Sequence, residues 1–256
     1  MRELVAMPPG YVPAANALAG RVVLVTGASG GLGAAASRAA ARAGATVVLL
    51  GRRVRALEKL YDELKLLGQE PAIYPLDLEG ATAADYDELA ATIARECGGL
   101  DAILHAAAHF EGLTPLALVE PAAWLRALHV NLGAATALTQ ACVPLLQKSA
   151  DASVVFVLDD GARIERAYWG GYAVAKAGLE SLIRVWADEL EKSTVRIAGL
   201  LPGPMRTALR ARAYFAEDPG TIDEPAVYAP ACTYLLGPDG ASVRGAVLDA
   251  RPLGSA

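Results

Sequence analysis

The run Val22-Val23-Leu24-Val25-Thr26, followed by Gly27-Ala28-Ser29-Gly30-Gly31-Leu32-Gly33 and then by an Ala-rich stretch, constrains the fold of this chain more than any other feature. An apolar β-branched run, a glycine turn and a helix start in direct succession read as strand, turn and helix. Glycines there let the backbone approach a pyrophosphate, and the free N–H groups and dipole of the helix start favour its charge. The spacing therefore predicts a dinucleotide site built from Gly27, Ser29, Gly30, Gly31, Leu32 and Gly33. An acid that would bind the ribose hydroxyls of NAD belongs about 20 residues further on. The sequence has Gly51-Arg52-Arg53 instead. A guanidinium accommodates a 2′-phosphate through charge-assisted hydrogen bonds, so Arg52 and Arg53 favour NADP(H) over NAD(H).

The rest of the chain repeats the alternation. Short apolar runs at Val22–Thr26, Thr46–Leu50, Ala72–Pro75, Ala102–His105, Ser153–Leu158, Arg196–Leu200 and Ala246–Asp249 read as strands covered on both faces. Helical stretches lie between them at Ala34–Ala43, Arg55–Leu67, Ala83–Cys97, Pro121–Gln147 (broken near Asn131) and Tyr172–Lys192. Right-handed crossovers make this a single-domain α/β Rossmann fold, a doubly wound parallel sheet of about seven strands with helices on both faces. The domain is expected over 19–256, preceded by an N-terminal arm at 1–18. Ligands in such a sheet sit beyond the carboxyl ends of the strands. The irregular stretch 203–224 is thus expected to form a substrate lid, with Met205, Leu209, Tyr214 and Phe215 excluding water.

Composition narrows the partners. With 54% hydrophobic and 20% charged residues the chain can bury a core, and a net charge of −5 without like-charge blocks offers no footprint for nucleic acid or a membrane surface. Cys97, Cys142 and Cys232 are too far apart for a disulfide framework or a zinc site and are expected to be buried thiols; no metal is expected. Without a signal-like or membrane-spanning apolar run, a cytoplasmic location is expected.

Tyr172 and Lys176 stand four apart at the start of a helical stretch and share one face. An ammonium beside a phenol favours the phenolate, which suits the pair to proton transfer. Together with the glycine turn, the motifs TGASGGLG (26–33), LDL (76–78), VNLGA around Asn131, YAVAK (172–176) and PGPMRT (202–207) make the chain resemble the classical short-chain dehydrogenase/reductases, from about Leu18 to Pro252. The resemblance implies hydride transfer to or from a carbonyl-like carbon of a small molecule. It implies Tyr172 as acid/base, Lys176 as its activator and a ribose ligand, and Asn131 as organiser of a proton-relay water. It further implies Asp77 and Leu78 at the adenine, and Ala107, Pro202, Gly203 and Thr207 along the cofactor. Association into a homodimer or homotetramer through the helices at 121–147 and 172–192 is also implied.

Two departures qualify this picture. The family usually has a serine thirteen residues before the tyrosine, but that position is Asp159, and no Ser or Thr lies between Val154 and Val174. An ionised carboxylate cannot donate to a substrate oxygen and repels a developing alkoxide. Three explanations stand open. Asp159 works with Tyr172 and Lys176 as in pteridine reductases, which it resembles, reducing a C=N bond with Phe110 stacked on the substrate; or a protonated Asp159 donates as serine does; or the site is impaired and the chain is a cofactor-binding scaffold. The second departure is His105-Ala106-Ala107-Ala108 in place of the family's Asn-Asn-Ala-Gly. His105 and His129 are expected to be structural, whereas His109, beside Phe110, is expected to face substrate.

Overall fold

The computed structural model describes residues 3–251. Met1 and Arg2 of the expected arm, and residues 252–256 including Pro252, lie outside the described residues. In chain order come β1 (Leu4–Ala6), β2 (Val22–Thr26), α1 (Gly31–Arg42), β3 (Thr46–Gly51), α2 (Val54–Lys65), β4 (Ala72–Pro75), α3 (Ala83–Cys97) and β5 (Ala102–His105). There follow α4 (Pro121–Leu128), a π turn at His129–Gly133, α5 (Ala134–Leu146), β6 (Ala152–Val157), the one-turn α6 (Gly161–Ile164) and α7 (Gly170–Glu189). The described chain closes with β7 (Val195–Leu201), α8 (Ala208–Ala213), α9 (Ala229–Leu236) and β8 (Val247–Asp249).

All strands are parallel in the order β1-β8-β7-β6-β5-β2-β3-β4. The chain runs outward from β2 through β3 to β4, then returns to the other side of β2 with β5. A crevice opens where the direction reverses, beyond the carboxyl ends of β2 and β5. The glycine turn leaves β2 there, and Ala106–Phe110 leaves β5. Thr26 ties the two together, its Oγ1 accepting the Ala107 N–H at 3.2 Å.

Two apolar layers flank the sheet. Leu32, Ala36 and Ala40 of α1, Leu57, Leu60 and Leu64 of α2, and Cys232, Leu235 and Leu236 of α9 cover one face. Tyr86, Leu89 and Ile93 of α3, Leu138, Cys142 and Leu145 of α5, and Leu179 and Ile183 of α7 cover the other. Burial on both faces explains why these strands carry unbroken apolar runs.

Among the described residues the sheet has eight strands, one more than the pattern suggests. The extra strand, β1, lies in the expected arm and pairs with the edge strand β8, Leu4 opposite Val247. Three residues among prolines and glycines carry no periodic signal; the sheet edge supplies their order. The helix α9 is buried except at Pro230 and lacks an amphipathic stripe, so its pattern is equally mute. Cys142 and Cys232 are buried, but Cys97, at the end of α3, is only partly so. Among the described residues no helix is long and apolar enough to cross a membrane, and no group of three or more His, Cys, Asp or Glu could hold a metal ion.

Candidate active site

A cleft of about 460 Å³ lies at the switch point. Its floor is the glycine turn. Gly27 has φ +64°, and a Cβ there would stand 2.7 Å from the Ala107 Cα, so only glycine lets the ends of β2 and β5 approach so closely. Gly33 does not line the cleft; a Cβ on it would meet the Gly27 carbonyl oxygen at 2.3 Å, which makes it a packing glycine at the base of the turn. Gly30 caps α1 without a side-chain acceptor, leaving the first N–H groups of the helix for a ligand. A Cβ on Gly31 would lie 2.7 Å from Thr207 Cγ2, across the cleft. Close-approach glycines under free helix N–H groups are what an extended phosphodiester needs, so the turn fits a dinucleotide.

Arg52 and Arg53 flank one end. Arg53 Nη2 donates to the Ser29 carbonyl at 2.8 Å, and Arg52 Nη1 stands 3.8 Å from Asp77 Oδ2. Both guanidiniums are exposed and keep further N–H groups for an anion. Asp77, Leu78, Ala107, Pro202, Gly203 and Thr207 line the same cleft. Thr207 is also the N-cap of α8, its Oγ1 accepting the Arg210 N–H.

At the other end Tyr172, in the first turn of α7, donates its hydroxyl to Asp159 Oδ2 at 2.8 Å. The helix begins two residues earlier than the pattern suggested, at Gly170. Just before it, Tyr168 takes φ +79°, a left-handed conformation rare for a bulky residue. Asp159 Oδ1 accepts from the Asp160 N–H and pairs with Arg163 of α6. A phenol, a backbone N–H and a guanidinium thus all point at the Asp159 carboxylate oxygens. Burial first, and then the Asp159 charge, push the Tyr172 phenol well above its ordinary value, while Arg163 pulls it down.

Lys176, one turn along α7, is buried and donates to the Val157 carbonyl at 2.7 Å. Burial lowers its ammonium to about 8, although Asp159 opposes the shift. Asn131 does not reach the cleft. Its Nδ2 donates to the Ala127 and His109 carbonyls and its Oδ1 accepts the His109 N–H, all at 2.8 Å, so the side chain braces the π turn against the loop after β5. Beside it, bordered by Lys176, His105 and Ala107, is a space of about 10 Å³, close to the least that one water needs.

Phe110 lines the cleft, but its ring stacks on Trp169 at 5.0 Å and meets the edge of Tyr172 at 5.5 Å. Tyr214, expected at the substrate, lies outside the cleft, 6.2 Å from the Trp169 ring. It follows the end of α8 and packs against Trp169 and the guanidiniums of Arg163 and Arg210. Met205 and Leu209 line the cleft, whereas Phe215 is 92% exposed and closes nothing. His109 lines the cleft and stands 3.4 Å from Glu111. His105 is buried, stacks on Phe156 and bonds Thr139; burial lowers it to about 3 and keeps it neutral.

Sequence reasoning missed Arg163, Trp169, Arg210 and Arg212. Arg163 had a legible signal, an acid and a base four apart at Asp159 and Arg163. The others are assembled by tertiary contact alone.

The family model for short chain dehydrogenase matches residues 21–217. The chain is 38% identical over 243 residues to an uncharacterized oxidoreductase, YciK, of Escherichia coli (strain K12), covering 94% of this chain and 96% of that protein. A short chain dehydrogenase structure from Salmonella enterica serovar Typhi superposes with a TM-score of 0.91 at 37% identity, covering 94% of this chain and all of the other. A protein described as a short chain dehydrogenase from Escherichia coli CFT073, complexed with NADPH, superposes with a TM-score of 0.89 at 38% identity over 94% of this chain and 100% of that one.

Proposed function

We propose a function from one premise: the chain belongs to the short-chain dehydrogenase family. It is an NADP(H)-dependent oxidoreductase that moves hydride to or from a carbonyl or imine carbon of a small molecule. The observation that carries this reading is the cleft in which the glycine turn, Arg52 and Arg53 at one end face Tyr172, Lys176 and Asp159 at the other. The NADPH complex of a relative of 38% identity supports the choice of cofactor.

Bound NADP(H) supplies or accepts the hydride. Gly27, Ser29, Gly30, Gly31 and Leu32 receive its pyrophosphate, Arg52 and Arg53 its 2′-phosphate, and Asp77 and Leu78 its adenine. Ala107, Pro202, Gly203, Thr207 and Lys176 hold the nicotinamide half. Tyr172 moves the proton at the reacting atom, a step worth roughly 10²–10⁴ in rate. Lys176, tied to Val157, keeps a positive charge beside the phenol and bears on the small space shared with Asn131.

Asp159 selects among substrates. Its carboxylate accepts hydrogen bonds and repels an alkoxide, so it favours a substrate with an N–H next to a reacting C=N over a simple ketone. Phe110 and His109 would border that substrate. A second copy of the chain fits the surface of α4 and α7, where Leu125, Val174 and Val185 are exposed.

The test is consumption of NADPH, and of NADH in parallel, against ketones, quinones, cyclic imines and dihydropterins. Turnover with NADPH on at least one class supports the reading. Tight NADPH binding with no turnover on any class overturns it in favour of a cofactor-binding scaffold.

A further inference from the structure

A carboxylate packed against a phenol that has to lose its proton is an unfavourable neighbour, and the Asp159 side chain is only 9% exposed. The compensating charge is Arg163, one turn along α6, paired with Asp159 Oδ1. Four residues of helix cannot hold themselves, so the position of Arg163 has to come from its neighbours. Its guanidinium carbon lies 5.5 Å from the Trp169 ring and 5.9 Å from the Tyr214 ring, a cation between two aromatic faces.

Each support is itself fixed. Trp169 stacks on Phe110. Tyr214 lies under the Arg210 guanidinium at 4.3 Å, and Arg210 is bound by Glu217 through two hydrogen bonds of 2.7 and 2.6 Å. The start of α6 is held as well, since Asp160 caps it and accepts from Arg251 Nη1 at 2.9 Å. The loop after β5 and the lid therefore converge on Arg163, while Arg251 holds the start of its helix.

We propose that Arg163 is a positioning residue that supplies the counter-charge allowing an aspartate to partner Tyr172, fixing Asp159 as an acceptor while Tyr172 exchanges its proton with substrate. The inference rests on the reading of Tyr172 as the acid/base. The charged and titratable groups around that tyrosine are Asp159 and Arg163 from the segment after β6, Lys176 from its own helix, His109 from the loop after β5, and Tyr214 and Arg210 from the lid. Of these, Asp159 raises the phenol and Arg163 lowers it. Without Arg163, Tyr172 becomes a weaker acid and gives up its proton more slowly.

The experiment is the pH profile of kcat for NADPH consumption in wild type, Arg163→Lys, Arg163→Gln, Asp159→Asn and the double variant Asp159→Asn/Arg163→Gln. The expected result for Arg163→Gln is kcat lowered by up to about tenfold across the neutral range, with KM for NADPH little changed. Arg163→Lys should retain most of the wild-type profile. In the Asp159→Asn background, Arg163→Gln should cost clearly less, because the carboxylate it fixes is gone and only its own direct pull on the phenol is lost. An equal loss in both backgrounds, or Lys as damaging as Gln, overturns the proposal. Melting temperatures of the same proteins give an arm that needs no turnover: Arg163→Gln should melt lower than wild type, and the double variant should melt with Asp159→Asn. Additive melting shifts overturn the counter-charge, whereas absence of turnover in wild type counts against the oxidoreductase reading alone.

Discussion

The Tyr172 hydroxyl donates to Asp159 Oδ2 at 2.8 Å, and the same carboxylate is held from its other oxygen by Arg163. The phenol thus faces a fixed acceptor where a serine would have offered a second donor. Substituting Asp159→Ser replaces that carboxylate with a hydroxyl that can also donate, and strands Arg163 without its partner. For a substrate that gives an N–H to Asp159, kcat/KM should fall by about tenfold or more, the worth of one hydrogen bond to a charged group. A gain in ketone reduction would instead identify Asp159 as a brake. Parallel assays of one imine and one ketone with the Ser variant separate the two.

Lys176 couples activity to stability. Its folded-state value of about 8 lies below the ordinary 10.5, with burial the first cause. A base lowered on folding destabilises the fold while it is charged, so the cost is fully present below pH 8 and fades between 8 and 10.5. The shift corresponds to roughly 3 kcal/mol, against which losing the charge-assisted bond to Val157 costs about 2 kcal/mol. Lys176→Met should therefore melt higher than wild type at pH 7, by an amount that shrinks as pH approaches 10, while turnover is lost. Melting curves across that range check the sign; a lower melting point at pH 7 would contradict it.

Arg52 and Arg53 should set the choice of nucleotide. Replacing either with Glu is expected to weaken NADPH binding by about tenfold to a hundredfold, the range of one charge-assisted contact, and to affect NADH far less. Titration of both nucleotides into both variants measures this. Equal losses for NADPH and NADH would remove the 2′-phosphate from the account.

Gly27 admits no side chain. At φ +64°, with the Ala107 backbone 2.7 Å from its would-be Cβ, Gly27→Ala must displace the end of β5 as well as strain the turn, the latter alone costing roughly 1–2 kcal/mol. Loss of both melting temperature and NADPH affinity is expected. Gly99→Ala, where nothing lies within 4 Å, should change neither.

How far the sequence could be read depended on whether a feature was local. The β2 turn, the doubly wound order and the pair Tyr172/Lys176 are legible because each is set by a short pattern: a glycine run, a β-branched strand, an i,i+4 pair; Asp159 stands out only through the family resemblance, which puts a serine at its position. What escaped is held from outside. The strand β1 exists because β8 offers it an edge, and α9 because both its sides are covered. Tyr214 reads as a lid residue from its position, yet packing against Trp169 and Arg163 turns it away from the cleft. Asn131 reads as a site residue, and the structure uses its amide to join the π turn to His109. Among the missed groups only Arg163 had a local signal, and its meaning appears when Trp169 and Tyr214 close around it.

The measurement that tests the central claim most directly is NADPH consumption by wild type and by Tyr172→Phe on the substrate class that wild type turns over best. The variant keeps the ring that packs on Phe110 and Trp169 and loses only the hydroxyl given to Asp159. Its kcat should fall by roughly 10²–10⁴ with NADPH affinity retained; a kcat equal to that of wild type would show that the proton does not pass through Tyr172.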